Sequence, residues 1–79
     1  MIRTVKTEQA SEILCIEKHL FKALRETGLL IGRKVGHGYG YDTDELDALQ
    51  IASRGFDLSS DDAIRFNAPM ILRKLKSTR

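Results

Sequence analysis

The stretch from Gly32 to Leu46, GRKVGHGYGYDTDEL, places glycines at 32, 36, 38 and 40 among basic residues, a histidine and two tyrosines. It reads either as a loop that cradles a nucleotide phosphate or as a turn between two strands. A dinucleotide fingerprint requires G-x-G-x-x-G between a strand and a helix start, and a Walker A loop requires G-x-x-x-x-G-K-[ST]. The spacing here is G-x-G-x-G, and it follows a helix-forming segment. The glycines therefore make a turn. Leu30, Ile31, Val35, Tyr39 and Tyr41 are apolar or β-favouring, and Gly36-His37-Gly38 supplies the positive φ angles of a tight hairpin. A hairpin is predicted between about residues 31 and 41.

Helical patterns flank it. Thr7 is placed to cap a short helix whose apolar residues Ala10, Ile13 and Leu14 recur at i, i+3 and i+4. Ile16 falls out of step and Glu17 opens a second helix, predicted over 17–27 and ended by Gly28. On that helix Leu20, Phe21, Ala23 and Leu24 share one half of the cylinder, and Lys18, His19, Lys22, Arg25 and Glu26 the other. A third helix follows the hairpin. Asp42 and Glu45 are spaced for a capping box, Leu46, Leu49 and Ala52 form the apolar stripe, and Gly55 closes it. A serine-capped turn of helix is expected from Ser59, and Pro69 is expected in the first turn of a last basic segment.

Seventy-nine residues, 42% of them hydrophobic, fit one small domain with no room for a two-lobed enzyme. No apolar run approaches the ~20 residues of a membrane span, and the N-terminal stretch lacks the apolar core of a secretory signal. The expectation is a soluble, cytoplasmic protein, and the single cysteine, Cys15, agrees with a reducing compartment. Charge is segregated. Residues 1–41 hold seven Lys/Arg against four Asp/Glu, residues 42–62 one against seven, and residues 63–79 five against none. Such a distribution suits a protein that turns one face to a polyanion, and a solvated acidic helix beside a basic tail is the alternative.

The residues also resemble a known family. QASEILCIEKHLFKALRETGLL is similar to the opening of MerR-type regulators and the excisionases related to them, KVGHGYGYDTDELDAL to their wing and following helix, and RGFDLSSDDAI to a later MerR segment. Together these cover about residues 4–64. Four positions depart from the pattern: Cys15 replaces a turn glycine, Glu17 a serine N-cap, Leu20 a threonine and Gly40 a wing arginine. The resemblance implies a mainly α fold with a small β-hairpin, a winged helix-turn-helix over residues 1–66, followed by a basic segment at 67–79. It implies a minimal DNA-binding protein, bacterial or phage-encoded and nucleoid-associated. A ligand-sensing regulator is not expected, because no long dimerisation helix or effector domain follows residue 64.

On this reading helix two enters the major groove and Lys18, His19, Lys22 and Arg25 read base edges or grip phosphates, with Glu26 orienting Arg25. Arg33, Lys34 and His37 of the wing approach backbone phosphates or the minor groove. Arg73, Lys74 and Lys76 are additional candidate contacts. A solvated helix surface is the alternative for the basic face, and Tyr39 and Tyr41, pointing to one side of their strand, read as core aromatics. For residues 69–79, with Met70, Ile71, Leu72 and Leu75 between the charges, a packing helix, a self-association surface and a disordered DNA-contacting tail all fit.

The expected function is sequence-directed binding of double-stranded DNA, as a transcriptional regulator or as a recombination directionality factor of a mobile element. A recombinase or RNA polymerase is the expected protein partner, with the chain monomeric in solution and cooperative on DNA. The alternative is a protein-interaction module or phage packaging adaptor with the same fold. No catalytic set, cofactor or metal is expected. Cys15 and His19 lie at i, i+4 with no evident third ligand, so Cys15 reads as a buried free thiol.

Overall fold

A computed structural model describes residues 3–78; Met1, Ile2 and Arg79, the last of the expected basic tail, lie outside them. The elements run β1 (Thr4–Lys6), α1 (Thr7–Leu14), a 3-10 turn (Lys18–Leu20) leading into α2 (Phe21–Glu26), β2 (Arg33–Val35), β3 (Gly38–Asp42), α3 (Thr43–Ala52) and α4 (Asp61–Thr78). This is a small α+β domain. Its antiparallel sheet has the order β1-β3-β2, with Val5 opposite Tyr41 and Lys34 opposite Tyr39.

The expected hairpin is present, with Gly36 and His37 as the two turn residues between the Val35–Gly38 pair. Gly36 takes the left-handed conformation, φ 61°, which glycine adopts without steric cost. The third strand, β1, was not foreseen. It lies beside β3, and this placement accounts for Gly40: a Cβ there would come 2.8 Å from Thr4 Cγ2 and 3.2 Å from Val35 Cγ2.

The core gathers Val5 from β1, Ala10 from α1, Phe21 and Leu24 from α2, Tyr41 from β3, Leu46 and Leu49 from α3, and Ile64, Ile71 and Leu75 from α4. Each large aliphatic side chain taken from water here contributes ~1.5–3 kcal/mol. Leu46, Leu49 and Ala52 thus bury the stripe expected of α3. Among the described residues no helix is long and apolar enough to cross a membrane.

Helix boundaries depart from expectation where side chains find better partners. The N-cap of α1 is Lys6, and Thr7 is already helical; Gln9 Oε1 accepts from the Lys6 N–H at 3.4 Å. No capping box joins Asp42 to Glu45. Asp42 instead accepts from Thr4 Oγ1 at 2.8 Å and Arg33 Nη2 at 2.7 Å, while Glu45 accepts the N–H groups of Ile31 and Gly32. The cap of α4 falls one residue later than expected, at Ser60, whose Oγ accepts from Ala63 N at 3.1 Å. Pro69 lies inside α4 rather than at a helix start. Its exposed position lets water take the carbonyl left without an i+4 donor. Residues 61–78 accordingly form one packed helix, with Ile71 and Leu75 in the core.

Candidate nucleic-acid interface

The connection from α1 to α2 is a tight turn built on Cys15, which adopts the left-handed conformation at φ 57°. Ser11 fixes it: its carbonyl accepts from the Ile16 N–H at 3.2 Å and its hydroxyl donates to the Ile16 carbonyl at 2.6 Å. Cys15 is exposed, which corrects the expectation of a buried thiol. The left-handed backbone points its side chain outward, and Ile16 fills the interior instead. Among the described residues no group of three or more His, Cys, Asp or Glu could hold a metal ion.

The second helix forms in two parts, a 3-10 turn and then α2, ending where Thr27 Oγ1 donates to the Ala23 carbonyl at 2.7 Å. Lys18, His19 and Lys22 are exposed on its outer side. His19 Nδ1 lies 3.3 Å from Glu17 Oε2. Lys22 is close enough to Glu26, one turn on, to help lower that carboxyl's pKa. Glu26 does not orient Arg25 as expected. Its carboxylate accepts from Arg65 Nη2 of α4 at 2.6 Å, and that bond is the first cause holding it below its ordinary pKa. Arg65 also donates through Nε to Asp61 at 2.8 Å, and the two acceptors raise its pKa.

Arg25 is only half-exposed. Its Nη1 donates to the Tyr41 hydroxyl at 2.9 Å, and its guanidinium carbon lies 4.1 Å from the centroid of the Tyr39 ring, within the range of a cation–π contact. Tyr41 in turn meets Phe21 edge to face, with centroids 5.4 Å apart. The two tyrosines share one side of β3, as expected, but only Tyr41 belongs to the core. Tyr39 remains 37% exposed and faces a shallow cleft of about 350 Å³ between helix and hairpin, lined also by Lys22, Arg25, Glu26 and Ile31.

Sheet register sorts the hairpin's cations. Directly opposed residues of an antiparallel pair share a face, so Lys34 stands on the Tyr39 side, toward α2. Arg33, opposite Gly40, stands on the other face and is paired with Asp42, Nη2 to Oδ2 2.7 Å. Asp42 is held below its ordinary pKa by the Thr4 hydroxyl first and by Arg33 second. The register therefore puts Lys34 on the sheet face of Tyr39, which Arg25 covers, and Arg33 on the opposite face. His37 is exposed at the turn.

Arg73, Lys74 and Lys76 are exposed along the C-terminal half of α4, with the Lys74 ammonium 4.9 Å from the Phe56 ring centroid. Met70, which lies among the expected self-association residues, is 45% exposed, and Phe66 one turn before it is 79% exposed. Sequence reasoning missed two participants. Ile31, 70% exposed at the cleft, was absorbed into the strand pattern. Arg65 carries no signal in sequence that distinguishes it from a solvated helix residue.

Comparison of the chain with protein-family models, with curated proteins and with solved structures finds no match.

Proposed function

We propose that the chain binds duplex DNA in a sequence-directed way as a small winged helix-turn-helix, with α1 and α2 as the helix-turn-helix and β2–β3 as the wing. The observation that carries the reading is the shared basic face: Lys18, His19 and Lys22 exposed on the second helix, and Lys34 on the side of the hairpin that Arg25 and Tyr39 tie to that helix. A helix fits the width of the major groove, and lysines on its outer side can donate to guanine O6 and N7. A neighbouring hairpin cation reaches phosphate and fixes register. The tight turn at Cys15, in the left-handed conformation where the MerR pattern has glycine, supports the same assignment. Regulation of transcription and direction of recombination by a mobile element both use this activity.

Titration of the protein into labelled duplexes, its own upstream region against random sequence, tests the reading. The expected result is tighter binding to a preferred duplex and a steep loss of affinity with salt. A second reading, a protein-interaction module, draws on the exposure of Phe66 and Met70 along α4; capture of a recombinase or polymerase subunit without DNA binding supports that one instead.

A further inference from the structure

The side chain that bridges helix and hairpin is also the strongest candidate base reader on that helix, and the two roles compete for it. Resting on the DNA-binding reading above, we propose that Arg25 is a positioning residue that sets the wing against the second helix, and that base reading falls to Lys18, His19 and Lys22.

The guanidinium is already committed on two sides. One nitrogen donates to the hydroxyl of Tyr41, a residue with 0% exposure, and the guanidinium carbon sits over the Tyr39 ring. A bidentate base contact that recruits Nη1 gives up the Tyr41 hydroxyl, and reaching outward from the cleft draws the guanidinium off the Tyr39 ring. That strands a buried hydroxyl, a cost comparable with what a bidentate contact to guanine returns. Lys18 and Lys22 face solvent and give up no hydrogen bond of this kind.

The geometry also shows why the wing needs a clamp. β1 pairs with β3 only at Gly40, Tyr41 and Asp42. Beyond that, residues 33–39 are held by the hairpin's own ladder, and a Cβ at Gly36 or Gly38 would meet nothing within 4 Å. Tyr39 lies in this projecting part, and its partner across the ladder is Lys34. The Arg25–Tyr39 contact thus acts on the residue directly opposite the wing's helix-facing cation. Phe21 against Tyr41 anchors the inner end, and Arg25 carries that anchorage outward.

The test combines a measurement on the free protein with one on DNA. In Arg25→Ala, amide exchange at Arg33, Val35 and Gly38, whose pairs carry the hairpin's ladder bonds, should quicken ~10-fold or more, while exchange in α3 and the core of α4 stays as in the parent. Arg25→Lys, which keeps a cation over Tyr39, should recover part of the protection. On DNA, Arg25→Ala should weaken preferred and random duplex by the same factor, ~10-fold, and lower the log–log salt slope by ~0.9, the value of one phosphate contact. Adding Lys34→Ala should then change little, because the contact is already lost. A loss confined to the preferred duplex, with Lys34→Ala adding in full, overturns the proposal and makes Arg25 a reader. If the parent binds no duplex, the DNA-binding reading fails; unchanged hairpin exchange in folded Arg25→Ala overturns the clamp independently.

Discussion

Arg65 Nη2 lies 2.6 Å from Glu26 Oε1, a bond that fastens the last turn of α2 to the second turn of α4. It ties the helix with the basic face to the longest helix of the domain. The Glu26 carboxyl has a pKa below its ordinary value of 4.5, by the Arg65 bond first. A depressed folded pKa gives stability that is fully present above the unfolded value and is lost as pH falls through the folded one.

The melting temperature of the parent should therefore fall from about pH 4.5 downward more steeply than that of Arg65→Ala, which lacks this linkage. Both partners are solvent-accessible, so the difference at neutral pH should be small. Parallel melting curves for the two proteins across this range show that the pair makes no contribution.

Gly40→Ala should destabilise the fold by ~1–3 kcal/mol, since the new methyl meets Thr4 and Val35 across both neighbouring strands. Thr4 cannot turn away freely because its hydroxyl donates to Asp42. For a domain of this size the drop in melting temperature is ~4–8 °C per kcal/mol. A melting temperature equal to the parent's means that β1 does not lie against β3 as described.

How legible this was in the sequence differs between elements, and the reasons are physical. The hairpin announced itself through Gly36 and the β-favouring residues around it, and α3 through its apolar stripe, because both signals are local. Strand β1 is three residues long, with one buried side chain, Val5, and only its long-range pairing makes it a strand. The capping box expected at Asp42 lost to Thr4 and Arg33, partners contributed by β1 and β2. The basic face of the second helix was read from periodicity, but the register that separates Lys34 from Arg33 and the bond that takes Glu26 to Arg65 depend on tertiary contacts.

Phe66→Ser should leave stability within about 0.5 kcal/mol of the parent, because the ring is largely solvated. The free protein is expected to sediment as a monomer at micromolar concentration, Phe66 and Met70 alone offering less apolar area than a stable pair requires. A tight dimer abolished by Phe66→Ser contradicts this and makes α4 the interface.

Lys22→Ala should weaken the preferred duplex by ~1–3 kcal/mol if its ammonium reads a base, with a smaller loss on random sequence. Arg33→Ala, on the opposite sheet face and paired with Asp42, should change binding less than Lys34→Ala. Equal losses for these two, measured on one duplex at one salt concentration, contradict the side of the sheet assigned to the interface.

The most direct test is fluorescence anisotropy of the protein and its Lys18→Ala/Lys22→Ala variant on a selected duplex and on random duplex, over a range of salt. The parent should prefer the selected sequence, and its affinity should fall linearly on a log–log plot with salt. The double variant, folded by circular dichroism because both side chains are exposed, should lose most of that preference. Equal binding by parent and folded double variant, or no duplex binding at all, contradicts recognition of DNA by this helix.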